Sequence, residues 1–171
     1  MMGVGKTTVG GLLAARLGRA HFDSDAQVMA ATGRTVPELF AEEGEAAFRH
    51  EETRVLAEAL ADDRPVVVSA AGGVVLSPVN RALLAATGVV VWLRADPAVL
   101  AARVGAGEGR PLLEGDPAAR LAELDRVRRP LYEEIASLVV DVDDLSPDQV
   151  VDRILSDPVL AAHGIVVGAA S

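Results

Sequence analysis

GVGKTTVGGLLAARL, residues 3–17, sets two glycines, a lysine and two threonines at the mouth of a helix that Gly18 ends. A glycine-rich loop opening a helix reads as a P-loop. Its backbone N–H groups surround phosphate oxygens, and the helix dipole favours negative charge at that end. Gly3, Val4, Gly5, Lys6, Thr7 and Thr8 are therefore the nucleotide-binding candidates. Lys6 would reach the β- and γ-phosphates of ATP, and the Thr7 hydroxyl would ligate Mg²⁺. The plainer reading is a glycine-rich N-terminal turn. Lys6 is also the only lysine among 16 basic residues. In a composition so biased towards arginine, a lysine here suggests a place where arginine would not serve.

The full P-loop pattern has a further glycine five residues before Gly5, which falls one position before Met1, and a strand ahead of it. A strand feeding such a loop normally lies inside the sheet, buried on both faces. The expectation is an in-frame upstream segment carrying a Val, Ile or Leu run and then glycine. An alternative is that Ile165-Val166-Val167-Gly168 fills the place of that strand, although a disordered tail is the expectation for the C-terminal residues.

Outward from the loop, strand and helix signals alternate. A short extended piece at 20–22 runs into Asp23, helical pattern covers 25–31 and stops at Gly33, and Thr35 with Glu38 forms a capping box. A long helix is predicted over about 45–61. Apolar runs at 66–68, 88–93 and 138–142 read as buried strands. Four helices open with a Ser or Asp cap followed by proline, at Ser77-Pro78, Asp96-Pro97, Asp116-Pro117 and Ser146-Pro147. The alternation predicts an α/β fold, a doubly wound parallel sheet with helices on both faces, five-stranded if the P-loop strand is present. One domain is expected over 1–155, with a C-terminal tail over 156–171. The Gly-rich stretch 104–115 reads as a mobile loop.

Composition bounds the rest. The chain has 171 residues, half of them apolar but only 3% aromatic, so its core is built of Ala, Val and Leu. There are no cysteines, which removes disulfides and thiolate metal sites and suits a reducing cytoplasm. No segment has the length of an apolar membrane span, and no signal-peptide pattern is seen. A soluble cytoplasmic protein is expected. A net charge of −9 and a pI near 4.8 argue against a nucleic-acid binder. An anionic substrate would need a few placed arginines.

Asp23-Ser24-Asp25 follows the short strand. Ligands in open α/β sheets bind at the carboxyl ends of strands, and Asp-x-Asp on an extended segment puts both carboxylates on one side. One could attend to the metal while the other accepts a proton from a hydroxyl. A helix cap plus a solvated acid is the alternative. Ala71-Gly72-Gly73 follows a buried strand, where backbone could approach a ligand. Arg110-Pro-Leu-Leu lies in the Gly-rich loop, and Arg128-Arg-Pro-Leu-Tyr132 in a helical pattern. Arg49 and Arg128 fall on helices, where a surface ion pair is the ordinary fate of an arginine. His21, His50 and His163 show no metal-site spacing and receive no role.

Together with Phe48-Arg49-x-x-Glu52, these pieces line up in order with the shikimate kinase family, which the chain resembles from Gly3 to about Leu155. The resemblance implies an ATP-dependent kinase of shikimate, in aromatic amino-acid biosynthesis, acting with Mg²⁺ and as a monomer. It implies a lid over about 104–117 and substrate-binding helices over about 25–61. By that resemblance Lys6 and Thr7 are the P-loop lysine and hydroxyl. Asp23 helps hold magnesium, and Asp25 contacts the substrate hydroxyls as the proposed base. Arg49 and Arg128 bind the substrate carboxylate, Gly72 and Gly73 bind substrate through backbone, and Arg110 meets the phosphates. Arg103 stacks near adenine and Glu52 orients an arginine. Ala71 stands where the family usually has glycine, and Leu145 where a basic residue often sits. The rival readings are a related kinase such as a gluconate kinase, which also binds a carboxylate, and a non-catalytic nucleotide-binding relative.

Overall fold

A computed structural model describes residues 1–61, 63–104 and 116–165. Helix α1 (Lys6–Leu17) leads to strand β1 (Ala20–Asp23), then α2 (Ser24–Thr32), α3 (Val36–Ala61) and β2 (Val66–Ser69). After a single 3₁₀ turn (Val74–Leu76) come α4 (Pro78–Thr87), β3 (Val91–Arg94) and α5 (Pro97–Val104). The chain closes with α6 (Pro117–Ile135), β4 (Leu138–Asp141), α7 (Pro147–Leu155) and α8 (Pro158–Ala162). The caps read from the sequence do form. Ser77, Asp96, Asp116 and Ser146 each accept from backbone N–H groups of their own first turn. The Thr35–Glu38 pair bonds reciprocally, Glu38 accepting from the Thr35 amide at 2.8 Å.

The strands pair in parallel, β1 with β2 and β3 with β4. Among the described residues the sheet is thus two pairs, the four strands expected besides the P-loop strand. Between them lies a cavity of about 730 Å³ walled by Val66–Ser69 of β2 on one side and Val91–Leu93 of β3 on the other. Met1, Leu160 and Ile165 also border it. The facing edges of β2 and β3 have no backbone bond to each other among the described residues.

Two sequence expectations are corrected and one is met. The strand predicted over 88–93 starts at Val91, because Gly88 is the C-cap of α4 and the chain must first leave that helix. The helices predicted on either side of Gly44 are both present within Val36–Ala61, separated by a break where Gly44 adopts φ 83 and ψ 171. The stretch after 155 is not a disordered tail as far as Ile165. Asp157 caps α8 through the Val159 amide, and Leu160 is buried in the main core. Burial of that leucine is worth about 2 kcal/mol, enough to hold one helical turn in place.

Two apolar clusters result. The larger spans Met1, Val4, Leu56, Trp92, Leu100, Leu121, Val140 and Ile154 among others. The smaller, Val28, Leu39, Phe48 and Val55, belongs to α2 and α3 alone. None of the described helices is long and apolar enough to cross a membrane.

Candidate active site

Gly3 and Gly5 hold φ of 74° and 90°, a region that side chains disfavour. A Cβ on Gly3 would also lie 2.8 Å from the Val104 side chain. These two turns deliver the chain to the N-terminus of α1, where no side chain caps the free amides. Helix α1 is seated by Gly10, whose absent Cβ would fall 2.1 Å from Ser69 Oγ. Ser69 Oγ in turn donates to the Lys6 carbonyl at 3.0 Å and lies 2.8 Å from His21 Nε2. His21 is thus a structural tie, in keeping with the absence of a role for it in the sequence. Lys6 Nζ donates to the Met1 carbonyl at 3.0 Å.

Asp23 serves two partners. Its Oδ1 accepts from the Ala26 amide and caps α2, and its Oδ2 accepts from Thr7 Oγ1 at 2.7 Å. The two residues that the sequence offers to magnesium therefore meet. Mg²⁺ commonly takes one or two protein oxygens and completes its shell with water and phosphate. A hydroxyl and a carboxylate in contact beside a helix N-terminus fit that chemistry.

Asp25 corrects the sequence reading in one respect. It does not share the strand with Asp23, because β1 ends at Asp23 and α2 begins at Ser24. It reaches the site from the first turn of α2. Burial pushes its carboxyl above the ordinary 3.8, Asp23 adds to the rise, and the charges of Lys6 and Arg49 pull against it. Ser24 between them is wholly buried, and its hydroxyl accepts from the Ala71 amide at 2.8 Å. The two strand ends of β1 and β2 are stitched together there.

Arg49 on α3 donates to Glu52 Oε2 at 2.9 Å and Glu45 Oε1 at 3.0 Å. Burial opposes its charge, but the two carboxylates hold the guanidinium above its ordinary value. Burial also drives the Glu52 carboxyl up, only partly offset by Arg49, and its Oε1 has no hydrogen-bond partner among the described residues. Gly73 abuts Arg49 so closely that a Cβ would stand 2.3–2.6 Å from the guanidinium atoms. Glycine is required at 73 for space, since its φ is −90°. No non-glycine residue among those described has positive φ, so Ala71 fits the loop without strain.

Helix α6 shows one buried face, Leu121, Asp125, Arg128 and Tyr132, and runs through Pro130. That proline removes the N–H that would have bonded to the Arg126 carbonyl. Arg128 is 3% exposed, and its Nε has no partner among the described residues. Its charge acts on Glu52, which also feels Asp25 and Arg49. Lys6, Asp23, Asp25, Arg49, Glu52 and Arg128 are thus one electrostatic group at the carboxyl ends of β1 and β2. Arg103 donates from α5 to the Val142 and Asp143 carbonyls at 3.0 and 2.8 Å. Arg110 and most of the expected lid fall outside the described residues. Ser24, Gly10 and Tyr132 were not singled out by sequence. Each acts through a bond or a close approach to residues distant in the chain, which no local spacing announces.

A family model described as "Shikimate kinase" matches residues 2–158. A shikimate kinase from Ruegeria pomeroyi is 45% identical over 157 residues, 91% of this chain and 80% of that protein. One from Ralstonia nicotianae is 44% identical over 98% of this chain and 87% of its own. Among solved structures, a shikimate kinase from Acinetobacter baumannii in complex with shikimate superposes with a TM-score of 0.89 at 35% identity, covering 95% of this chain and 89% of that one. The shikimate kinase of Aquifex aeolicus gives 0.82 at 30% identity, over 96% and 95%.

Proposed function

The chain belongs to the shikimate kinase family, and from that premise we propose that it transfers the γ-phosphoryl group of ATP to a hydroxyl of shikimate, giving shikimate 3-phosphate. The observation that carries the reading is the grouping of Lys6, Asp25, Arg49 and Arg128, each on a different helix, within mutual electrostatic reach. Phosphoryl transfer needs little covalent help from the protein and depends on positioning and charge stabilisation. The loop of Gly3, Val4 and Gly5 with Thr8 cradles phosphate through backbone amides, and Lys6 supplies positive charge to it. Thr7 and Asp23 hold Mg²⁺, which when bound neutralises charge on the phosphates.

Asp25 accepts the proton of the attacking hydroxyl. A carboxyl held above its ordinary range is the better acceptor, since a base works best with its pKa near the working pH. Arg49 and Arg128 take the acid's carboxylate, and the backbone at Gly72 and Gly73 lines the same pocket. The buried Nε of Arg128 supports this, because a buried donor without a hydrogen-bond partner is costly and a carboxylate ligand would relieve it. Arg103 attends the adenine side, and Arg110 the phosphates. The same reading makes the enzyme cytoplasmic and monomeric, with no part for nucleic acid.

The test is ADP formation from MgATP with candidate acceptors. Shikimate should stimulate it, and gluconate and nucleoside monophosphates should not. Arg128→Ala should raise the KM for the acid about tenfold to a hundredfold, the worth of one charge-assisted bond, with little change in the KM for ATP. Turnover of gluconate with none of shikimate would overturn the acceptor and spare the P-loop argument.

A further inference from the structure

We infer that Tyr132 is a positioning residue of the acceptor site, its hydroxyl fastening the Gly72–Gly73 turn to α6 so that Arg49 and Arg128 keep a fixed separation. The inference rests on the reading of those two arginines as the carboxylate clamp. Tyr132 Oη donates to the Gly72 carbonyl at 2.6 Å, across 60 positions of sequence. Arg128 lies one turn earlier on the same buried face of α6, and its charge acts on the phenol. The ring itself is held against Trp92, with centroids 5.4 Å apart.

The connection then passes to the other arginine through shape. Gly73 follows Gly72 directly, and the Arg49 guanidinium rests in the space that a Cβ on Gly73 would fill. A shift of this turn therefore moves the wall behind Arg49, while Arg128 shares the buried face of α6 with the phenol that holds the turn. One hydroxyl thus relates two cations that stand on α3 and α6. Burial pushes the phenol up to about 12 despite Arg128 beside it, so the hydroxyl keeps its proton and its donor role throughout the neutral range.

The experiment compares wild type with Tyr132→Phe, which keeps the ring on Trp92 and removes only the donor. Trp92 is the single tryptophan and stacks on the ring in question, and its fluorescence is followed alongside calorimetry as shikimate is added, so that binding is measured independently of turnover. The expected result is a rise in both the Kd and the KM for shikimate of roughly twofold to tenfold, the equivalent of one net hydrogen bond. The KM for ATP should stay unchanged, and kcat nearly so. A thermal melt confirms that the variant is folded at the assay temperature. A lowered Tm with shikimate Kd and KM as in wild type would mean a merely structural tyrosine and overturn the inference. An equal rise in the KM for ATP would overturn it too, because the effect would not be confined to the clamp. If wild type itself neither binds nor phosphorylates shikimate, the acceptor reading falls first and the inference with it.

Discussion

Asp25 combines two demands that conflict. In the base role proposed for it, it must be ionised, yet burial, with Asp23 adding to the rise, holds its carboxyl above the ordinary 3.8. The folded state therefore holds this proton more tightly than the unfolded chain. The stability it contributes is present below 3.8 and is lost as pH rises through the folded value. Asp25→Asn should accordingly leave the protein at least as stable at pH 7, while kcat falls by about 10²–10⁴. In wild type, kcat/KM for the acid should decline as pH drops through that raised value. Urea melts of the two proteins with a pH–rate profile check both halves. A variant that is clearly less stable at pH 7, or one that keeps wild-type kcat, would contradict the assignment. The acid was legible as part of Asp-x-Asp, but its placement was not. Asp23 spends one oxygen capping α2 through Ala26, which starts the helix one residue earlier than an extended Asp-x-Asp allows. Ser24 was invisible for the same reason as Tyr132, since its partner is the Ala71 amide, 47 positions away.

At the level of elements, capping chemistry carried most of the information. Ser-Pro and Asp-Pro pairs located four helix starts because both signals are local: a side-chain acceptor, then a residue whose missing N–H costs nothing at that position. Asp157-Pro158 carries the same device and makes α8, although an apolar C-terminal stretch by itself suggests only a tail. Strand limits were less legible. The apolar run from Gly88 does not mark where pairing begins, which depends on β4 supplying Leu138 opposite Val91. Helix α8 also offers a graded test. Leu160 is 4% exposed and belongs to the main core, yet it borders the cavity between the strand pairs. Leu→Ala in a core costs about 2–5 kcal/mol, more where a larger void is left behind. A side chain already lacking neighbours on one side has less contact to lose, so Leu160→Ala should fall near the lower end, about 2 kcal/mol. Urea unfolding measures it. A loss within 0.5 kcal/mol of zero would show that α8 is not anchored by this residue.

Across the whole molecule, the parallel α/β plan follows from alternation in sequence, but strand order does not, because nothing local says which strands become neighbours. Among the described residues the strands divide into β1–β2 and β3–β4. Backbone amides of β2 and β3 that point away from their paired strands face the cavity, where they lack the second ladder that protects a central strand. Hydrogen exchange should find them markedly faster than the amides bonded within each pair. Uniform slow exchange along both edges of β2 would mean that the pairs are joined after all. An unbroken ladder makes a sheet a stiff plate, and a cut along the strand direction leaves two leaves with a seam. Asp23, Asp25 and the Gly72–Gly73 turn ride on the first leaf, and Arg103 with the Asp143–Leu145 loop on the second. The phosphate loop is rooted beside the seam through Met1 and Val4. Any bending about that line changes the distance between the acceptor's side of the site and the adenine's side. A strand seated between β2 and β3, such as the one the P-loop pattern expects ahead of Gly3, would join the two leaves and fix that distance, as a rivet through a pair of calipers fixes their gap.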